Sequence, residues 1–161
     1  MSRIQVCAAL ALAALGSAAL AAKTTRFELK GGALTLPGPV VFESGSDKLS
    51  PSSDESLAVV RDYLEAKPAI SLLRVESHAD DQPLSDKRAL SVARWLVAAG
   101  VDCRRLIPVG FGQTKPIVPN DTPDNKALNN RVAFVNAALK GRAIGGRPVD
   151  GGGHVAGDPC P

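Results

Sequence analysis

The middle of the chain holds a strand pattern, a helix pattern and a second strand pattern in succession, and this order most restricts the possible folds. Apolar and polar residues alternate through 70–78, as expected of a half-buried strand. Residues 85–100 instead carry apolar side chains at helical spacing, from Ser85 as N-cap to Gly100 as stop. The segment 105–112 returns to a strand pattern. This succession favours an α/β fold in which helices cover a sheet.

Weaker patterns on both sides complete the predicted fold. A short strand at 40–43 precedes a helix that ends near Lys67, because Pro68 cannot continue it. One or two helical turns at 122–130 and a last strand at 131–139 follow the central unit. The order β-α-β-α-β-(α)-β predicts an α/β two-layer sandwich, with two main helices on one face of a mixed sheet.

The two ends of the chain differ in composition from the middle. Residues 1–22 contain Arg3, then an Ala/Leu-rich run and a small-x-small triplet, which is the pattern of a secretory signal peptide. An uncleaved membrane anchor is the alternative. We expect an exported protein with a strand or hairpin region at 23–39 and a single domain at 40–140. The glycine- and proline-rich residues 141–161 predict a flexible tail.

The cysteines support the expectation of export. The chain has three, and removal of the leading segment would leave Cys103 and Cys160. An even pair in an exported protein indicates a disulfide, with two free thiols as the alternative. Such a bridge would attach the tail to the domain.

Composition argues against several classes of function. The formal net charge is +3 and no Lys/Arg cluster alternates with aromatic residues, so nucleic acid is not an expected partner. His78 stands near Asp80 and Asp81, but this group lacks a third metal ligand. We therefore expect no metal, no cofactor and no enzyme activity.

The junction between the central strand and the helix after it is the candidate binding site. Asp80 follows the strand, and Arg88 falls in the first turn of the predicted helix, where a cation is unfavourable beside the exposed N–H groups. That cost becomes a gain if Arg88 binds a carboxylate ligand through its bidentate fork. Asp80 would suit an ammonium, so a group with an amine and a carboxylate on one carbon fits. Alternatively, Asp80 and Arg88 pair with each other.

Motifs around this junction resemble those of the OmpA-like peptidoglycan-binding domains, the family of the OmpA C-terminal half, Pal and MotB. The resemblance covers roughly residues 40–137. The matching motifs are His78-Ala79-Asp80, Leu84-Ser85-x-x-Arg88-Ala89-x-x-Val92, Gly110-x-Gly112-x-x-x-Pro116 and Asn129-Asn130-Arg131-Val132.

The resemblance implies a non-enzymatic domain that binds peptidoglycan in the periplasm and links the cell wall to the outer membrane, with envelope proteins as further partners. It assigns the ammonium of diaminopimelate in the stem peptide to Asp80 and the carboxylate to Arg88. Asp81, Asn129 and Arg131 are secondary candidates. Only three residues separate Asp80 from Leu84, fewer than is usual in the family. The alternative is therefore a protein-interaction domain on the same fold with a degenerate site.

Overall fold

The computed structural model describes residues 26–161 and forms one mixed sheet with helices. The predicted signal peptide lies outside the described residues. The helices are α1 (Asp54–Ala66), α2 (Gln82–Ala98) and α3 (Pro123–Asn129). The strands are β1 (Leu29–Lys30), β2 (Ala33–Leu34), β3 (Ile70–His78), β4 (Leu106–Gly112), β5 (Arg131–Leu139), β6 (Arg142–Ala143) and β7 (His154–Val155).

The sheet has the strand order β1-β2-β5-β3-β4-β7, and β6 also pairs with β5. β3 and β4 are parallel because α2 connects them as a crossover, whereas β5 is antiparallel to β3. This confirms the predicted α/β fold with a mixed sheet. The prediction of a strand at 40–43 was wrong, because within the described residues this segment forms only a single bridge between Phe42 and Leu49. The three long strands form the centre, and the strands added beside them are only two residues long.

The hydrophobic core lies between one face of the sheet and helices α1 and α2. On β3 the side chains of Leu73 and Val75 point to this face, and Phe134 of β5 lies beside them. Gly110 of β4 allows α2 to approach closely, because a Cβ there would lie 2.9 Å from the backbone nitrogen of Asp86. The helices contribute a buried apolar stripe each: Leu57, Val60 and Leu64 from α1, and Val92, Ala93 and Leu96 from α2.

Helix α2 begins four residues earlier than the sequence predicted. Its N-cap is Asp81, whose carboxylate accepts a hydrogen bond of 2.7 Å from the backbone N–H of Leu84. Pro83 is tolerated because it lies in the first turn, where its missing N–H has no helical partner. The assignment of Ser85 as N-cap was therefore wrong, and Arg88 is the seventh residue of the helix, not a first-turn residue.

The tail runs across the other face of the sheet. Strand β7 pairs with β4 at Val109 and Gly110, and a Cβ at Gly153 would lie 2.8 Å from the ring of Phe111. The predicted disulfide is confirmed, since Cys103 and Cys160 are bonded with their Cα atoms 5.1 Å apart. Glycine here permits close packing on the sheet, whereas the sequence interpretation took it as a sign of flexibility.

Across residues 26–161, no helix has both the length and the apolar character that a membrane crossing requires.

Candidate functional site

Asp80 and Arg88 approach the candidate site from two different elements. β3 ends at the buried His78, the chain turns through the buried Ala79, and the side chain of Asp80 is exposed. Arg88 is half-buried on α2, almost two turns from the helix start. The strand end and the early helix thus place a carboxylate and a guanidinium near one another at the same edge of the sheet.

Two contacts with an earlier loop orient Arg88. Its Nε donates a hydrogen bond of 2.9 Å to the carbonyl of Ser46, and its guanidinium carbon lies 4.7 Å from the ring centre of Phe42. Ser91, one helical turn later, donates to a carboxylate oxygen of Asp47 at 3.1 Å and binds the same loop. The hairpin that closes at residues 42–49 therefore forms one wall beside Arg88.

Burial destabilises the charged form of Arg88, whereas its acidic neighbours stabilise that form. Burial lowers the pKa of Arg88 below its usual value, while the carboxylates of Asp80, Asp81 and Asp47 act in the opposite direction. Among residues 26–161, no ion pair joins Arg88 to any of these carboxylates. The self-neutralised pair that the sequence left open is thus not the arrangement in the structure.

Asp80 lines a small pocket whose opposite wall is the loop after β4. Gln113 donates a hydrogen bond to the carbonyl of Asp80, and Asn120 donates to the side chain of Gln113 at 3.2 Å. The cavity has a volume of about 10 Å³, roughly the room of one water molecule. A ligand larger than a water must therefore lie over the rim of this pocket. The other lining residues include His78, Lys115, Asn129 and Arg131.

The three secondary candidates have structural bonds of their own. Asp81 caps α2. Asn129 accepts from the backbone of Ile117 at 2.9 Å and donates to the carbonyl of Val118 at 3.0 Å, so it shapes the loop after β4. Arg131 donates to the carbonyls of Asn129 and Lys115. Burial lowers the pKa of Arg131, and the nearby Glu76 opposes that shift.

A row of three ionisable side chains beneath the pocket was missed by the sequence reasoning. Arg74 donates to Glu76 at 2.7 Å, and Nε2 of the buried His78 lies 3.5 Å from the second oxygen of Glu76. Burial would raise the pKa of Glu76, but His78, Arg74 and Lys115 together bring it below 4.5. The alternation along β3 contained the signal, because these residues face away from Leu73 and Val75.

The comparison with protein families agrees with this architecture. The OmpA family model matches residues 41–130, more than half of the chain. The chain belongs to the OmpA family. The match spans the loop before α1, both main helices and strands β3 and β4, and it includes Asp80, Arg88 and Asn129.

Curated relatives share part of their length with this OmpA-family chain. The peptidoglycan-binding protein ArfA of Mycobacterium tuberculosis is 36% identical over 105 residues, which cover 61% of this chain and 32% of ArfA. The probable lipoprotein YiaD of Escherichia coli is 35% identical over 112 residues, or 66% of this chain and 51% of YiaD. The aligned region thus spans about a third to a half of these relatives.

Two solved structures have a similar fold. A MotB-like protein from Desulfovibrio vulgaris aligns with a TM-score of 0.57 and 29% identity, covering 68% of this chain and 78% of that one. The cell wall anchor of the T6SS from Pseudomonas aeruginosa aligns with a TM-score of 0.53 and 27% identity. That alignment covers 61% of this chain and 76% of the anchor.

Proposed function

We propose that this chain binds peptidoglycan non-covalently in the cell envelope, and that Asp80 and Arg88 hold the ammonium and the carboxylate of diaminopimelate. The observation that carries the proposal is the arrangement of these two side chains at one junction with no ion pair between them within the described chain. A zwitterionic amino-acid end could bridge them. The names of ArfA and of the T6SS cell wall anchor support the same ligand.

Arg88 has donors to spare for such a ligand. Nε is used by Ser46, but within residues 26–161 neither terminal nitrogen of the guanidinium donates a hydrogen bond. Because the Ser46 bond and the Phe42 ring fix the plane of the guanidinium, less side-chain entropy is lost when a carboxylate binds. The two terminal nitrogens then offer the bidentate contact that a carboxylate favours.

The proposed role is non-covalent attachment to the cell wall, without catalysis. We infer that the protein is exported and links the cell wall to the outer membrane or to an envelope complex, as the lipoprotein and anchor relatives suggest. Incubation of the purified protein with muropeptides should leave their chromatogram unchanged. New products that depend on the protein would contradict this part of the proposal.

Sedimentation with purified sacculi tests the ligand. The wild-type chain should pellet with sacculi, and free diaminopimelate should release it. Asp80→Ala and Arg88→Ala should each weaken binding about tenfold or more, as expected for a lost charge-assisted hydrogen bond. Arg88→Lys keeps the charge but loses the fork, so binding should still fall.

Exposed residues of the same charge provide the matched controls. Lys87→Ala and Asp124→Ala should pellet like the wild type, because both side chains are exposed and make no side-chain hydrogen bond within the described chain. Thermal melting of each variant separates lost binding from lost folding. If the wild type does not pellet, the alternative of a protein-interaction domain with a degenerate site replaces the proposal.

A further inference from the structure

A surface at the far end of the sheet combines exposed apolar side chains with cations. We call it the far-end patch. Two adjoining grooves form it and share Ile144. Its six residues are Leu29, Leu139, Lys140, Arg142, Ile144 and Arg147.

The apolar members of the far-end patch are unusually exposed for their type. Leu29, Leu139 and Ile144 have relative exposures of 49%, 46% and 43%. Single exposed apolar residues are common on protein surfaces, but neighbouring ones at a shared groove indicate a surface that meets something apolar. Ile144 connects them, because it lines the groove that contains Leu29 and the one that contains Leu139.

The cations of the patch lack protein partners in the structure. Lys140, Arg142 and Arg147 are exposed, and within residues 26–161 none of them forms an ion pair or donates a side-chain hydrogen bond. The sequence from 131 to 149 contains no Asp or Glu at all. The 139–147 part of the patch is therefore positive, whereas the exposed Glu28 adjoins Leu29, and the long cationic side chains can extend past the apolar residues.

A tight hairpin presents the patch rigidly. Leu139 pairs with Arg142, so Lys140 and Gly141 form a two-residue turn, with φ values of +48° and +76°. The backbone N–H of Lys140 donates to Ala69 at 2.8 Å, and that of Gly141 donates to the side chain of Ser71 at 2.8 Å. Lys140 thus stands at the tip, held by the start of β3.

The Leu139–Arg142 hairpin of the far-end patch lies at the opposite end of β5 from the proposed peptidoglycan site, whereas Leu29 is level with the middle of β5. β5 begins at Arg131, which lines the pocket beside Asp80, and ends at Leu139 in the patch. Eight residue steps of an extended strand span about 26 Å. The domain could thus hold one structure at each end without steric conflict.

We propose that the far-end patch rests on a bilayer surface that contains anionic phospholipid. Three apolar side chains can enter the headgroup region, while the three cations contact lipid phosphates. A protein partner explains the apolar residues equally well, but the unpaired cations around them favour a surface dense in negative charge. This inference does not depend on the proposed ligand of Asp80 and Arg88.

Vesicle binding by the full-length chain tests the proposal. Flotation with vesicles of phosphatidylcholine and phosphatidylglycerol at 3:1 is compared with pure phosphatidylcholine vesicles. The anionic vesicles should bind more strongly, and Arg142→Glu with Arg147→Glu should remove that difference. Since each cation near an anionic surface contributes about 1 kcal/mol, we expect a loss of roughly tenfold or more in partitioning. Ile144→Asp should also weaken binding.

Hydrogen exchange shows which face touches the lipid, even if the N-terminal sequence holds the whole chain on vesicles. Anionic vesicles should slow exchange in residues 139–147 and leave residues 123–129 unchanged. The matched control is Arg94→Glu with Lys126→Glu, two exposed cations away from the patch, which should behave like the wild type.

The proposal is overturned if anionic vesicles leave hydrogen exchange at 139–147 unchanged. It is also overturned if the control variant with Arg94→Glu and Lys126→Glu loses as much vesicle binding as the variant with Arg142→Glu and Arg147→Glu. Self-association that Ile144→Asp abolishes, without any preference for anionic vesicles, would assign the patch to a second copy instead. Both charge-reversed pairs should still pellet with sacculi, so a failure here is distinct from a failure of the proposed wall site.

Discussion

Ser85 shows how one side chain can join three elements of this fold. Its hydroxyl donates to the carbonyl of Ser77 at 2.6 Å and accepts from the backbone N–H groups of Phe111 and Gly112 at 3.1 and 3.0 Å. The end of β3, the end of β4 and the start of α2 thus meet at one buried hydroxyl. These are the segments that carry Asp80 and Arg88, so this serine helps to fix the spacing of the proposed site.

Glu76 should make stability depend on pH. Its folded-state pKa is below 4.5, so its contribution is present above that pH and is lost as the pH falls through the folded-state pKa. Glu76→Gln should lower the free energy of unfolding at pH 7 by about 2–3 kcal/mol, because Arg74 loses its buried partner. Urea denaturation between pH 7 and pH 3 should show a smaller loss with acidification in the variant than in the wild type.

The control for Glu76 is an exposed carboxylate. Glu65→Gln should leave the free energy of unfolding within about 0.5 kcal/mol of the wild type at pH 7. If acidification lowers the free energy of unfolding equally in the wild type and in Glu76→Gln, the neighbours of Glu76 do not lower its pKa.

Helix α2 illustrates how a cap, and not the hydrophobic period, decides where an element starts. The apolar stripe predicts the body of the helix, but Ser85, Asp81 and Asp80 are all suitable N-caps by type. Asp81 caps because it precedes Pro83, which is favourable within the first turn. The buried hydroxyl of Ser85 instead forms hydrogen bonds with the backbone of β3 and of β4. The early start moves Arg88 away from the helix terminus and therefore removes the dipole argument for its position.

Substitution of Asp81 tests this cap. Asp81→Ala should lower the free energy of unfolding by about 1 kcal/mol, whereas Asp81→Asn, which retains a capping oxygen, should change it by only a few tenths. Chemical denaturation measures both. Equal losses in the two variants would indicate that the charge of Asp81 matters more than its hydrogen bond to Leu84.

At the scale of the whole molecule, the tail forms a partial second layer on the sheet. Arg74 donates to the carbonyl of Val149 at 2.9 Å, Lys115 donates to Gly151 at 2.9 Å, and Ala156 donates to Pro108 at 2.9 Å. Lys115 also lines the pocket beside Asp80. The tail is therefore in contact with the loop that shapes the proposed site, and the disulfide fixes its end.

Loss of the disulfide should destabilise the fold. The bond joins residues 57 apart in sequence, and closing a loop of that length is worth about 4 kcal/mol in the chain-entropy model, with 2–4 kcal/mol typical in practice. Cys103→Ala with Cys160→Ala should lower the free energy of unfolding by about that amount. Reduced wild type should match the double variant in denaturation experiments, and a large difference between them would point to effects other than the lost cross-link.

The sequence by itself predicted the succession of long helices and strands from α1 to β5, their approximate ends and the disulfide between Cys103 and Cys160, and it selected Asp80 and Arg88 as the candidate pair. These features follow from local spacing, from residue type and from the expectation that removal of the leading segment leaves only Cys103 and Cys160. Tertiary structure alone decided what Arg88 contacts, because Ser46 and Phe42 are more than forty residues away in sequence. Tertiary structure also decided that the tail covers the sheet. A glycine-rich sequence is compatible with either a flexible tail or a closely packed one, and here the glycines lie against the side chains of Arg74 and Phe111, which shows close packing.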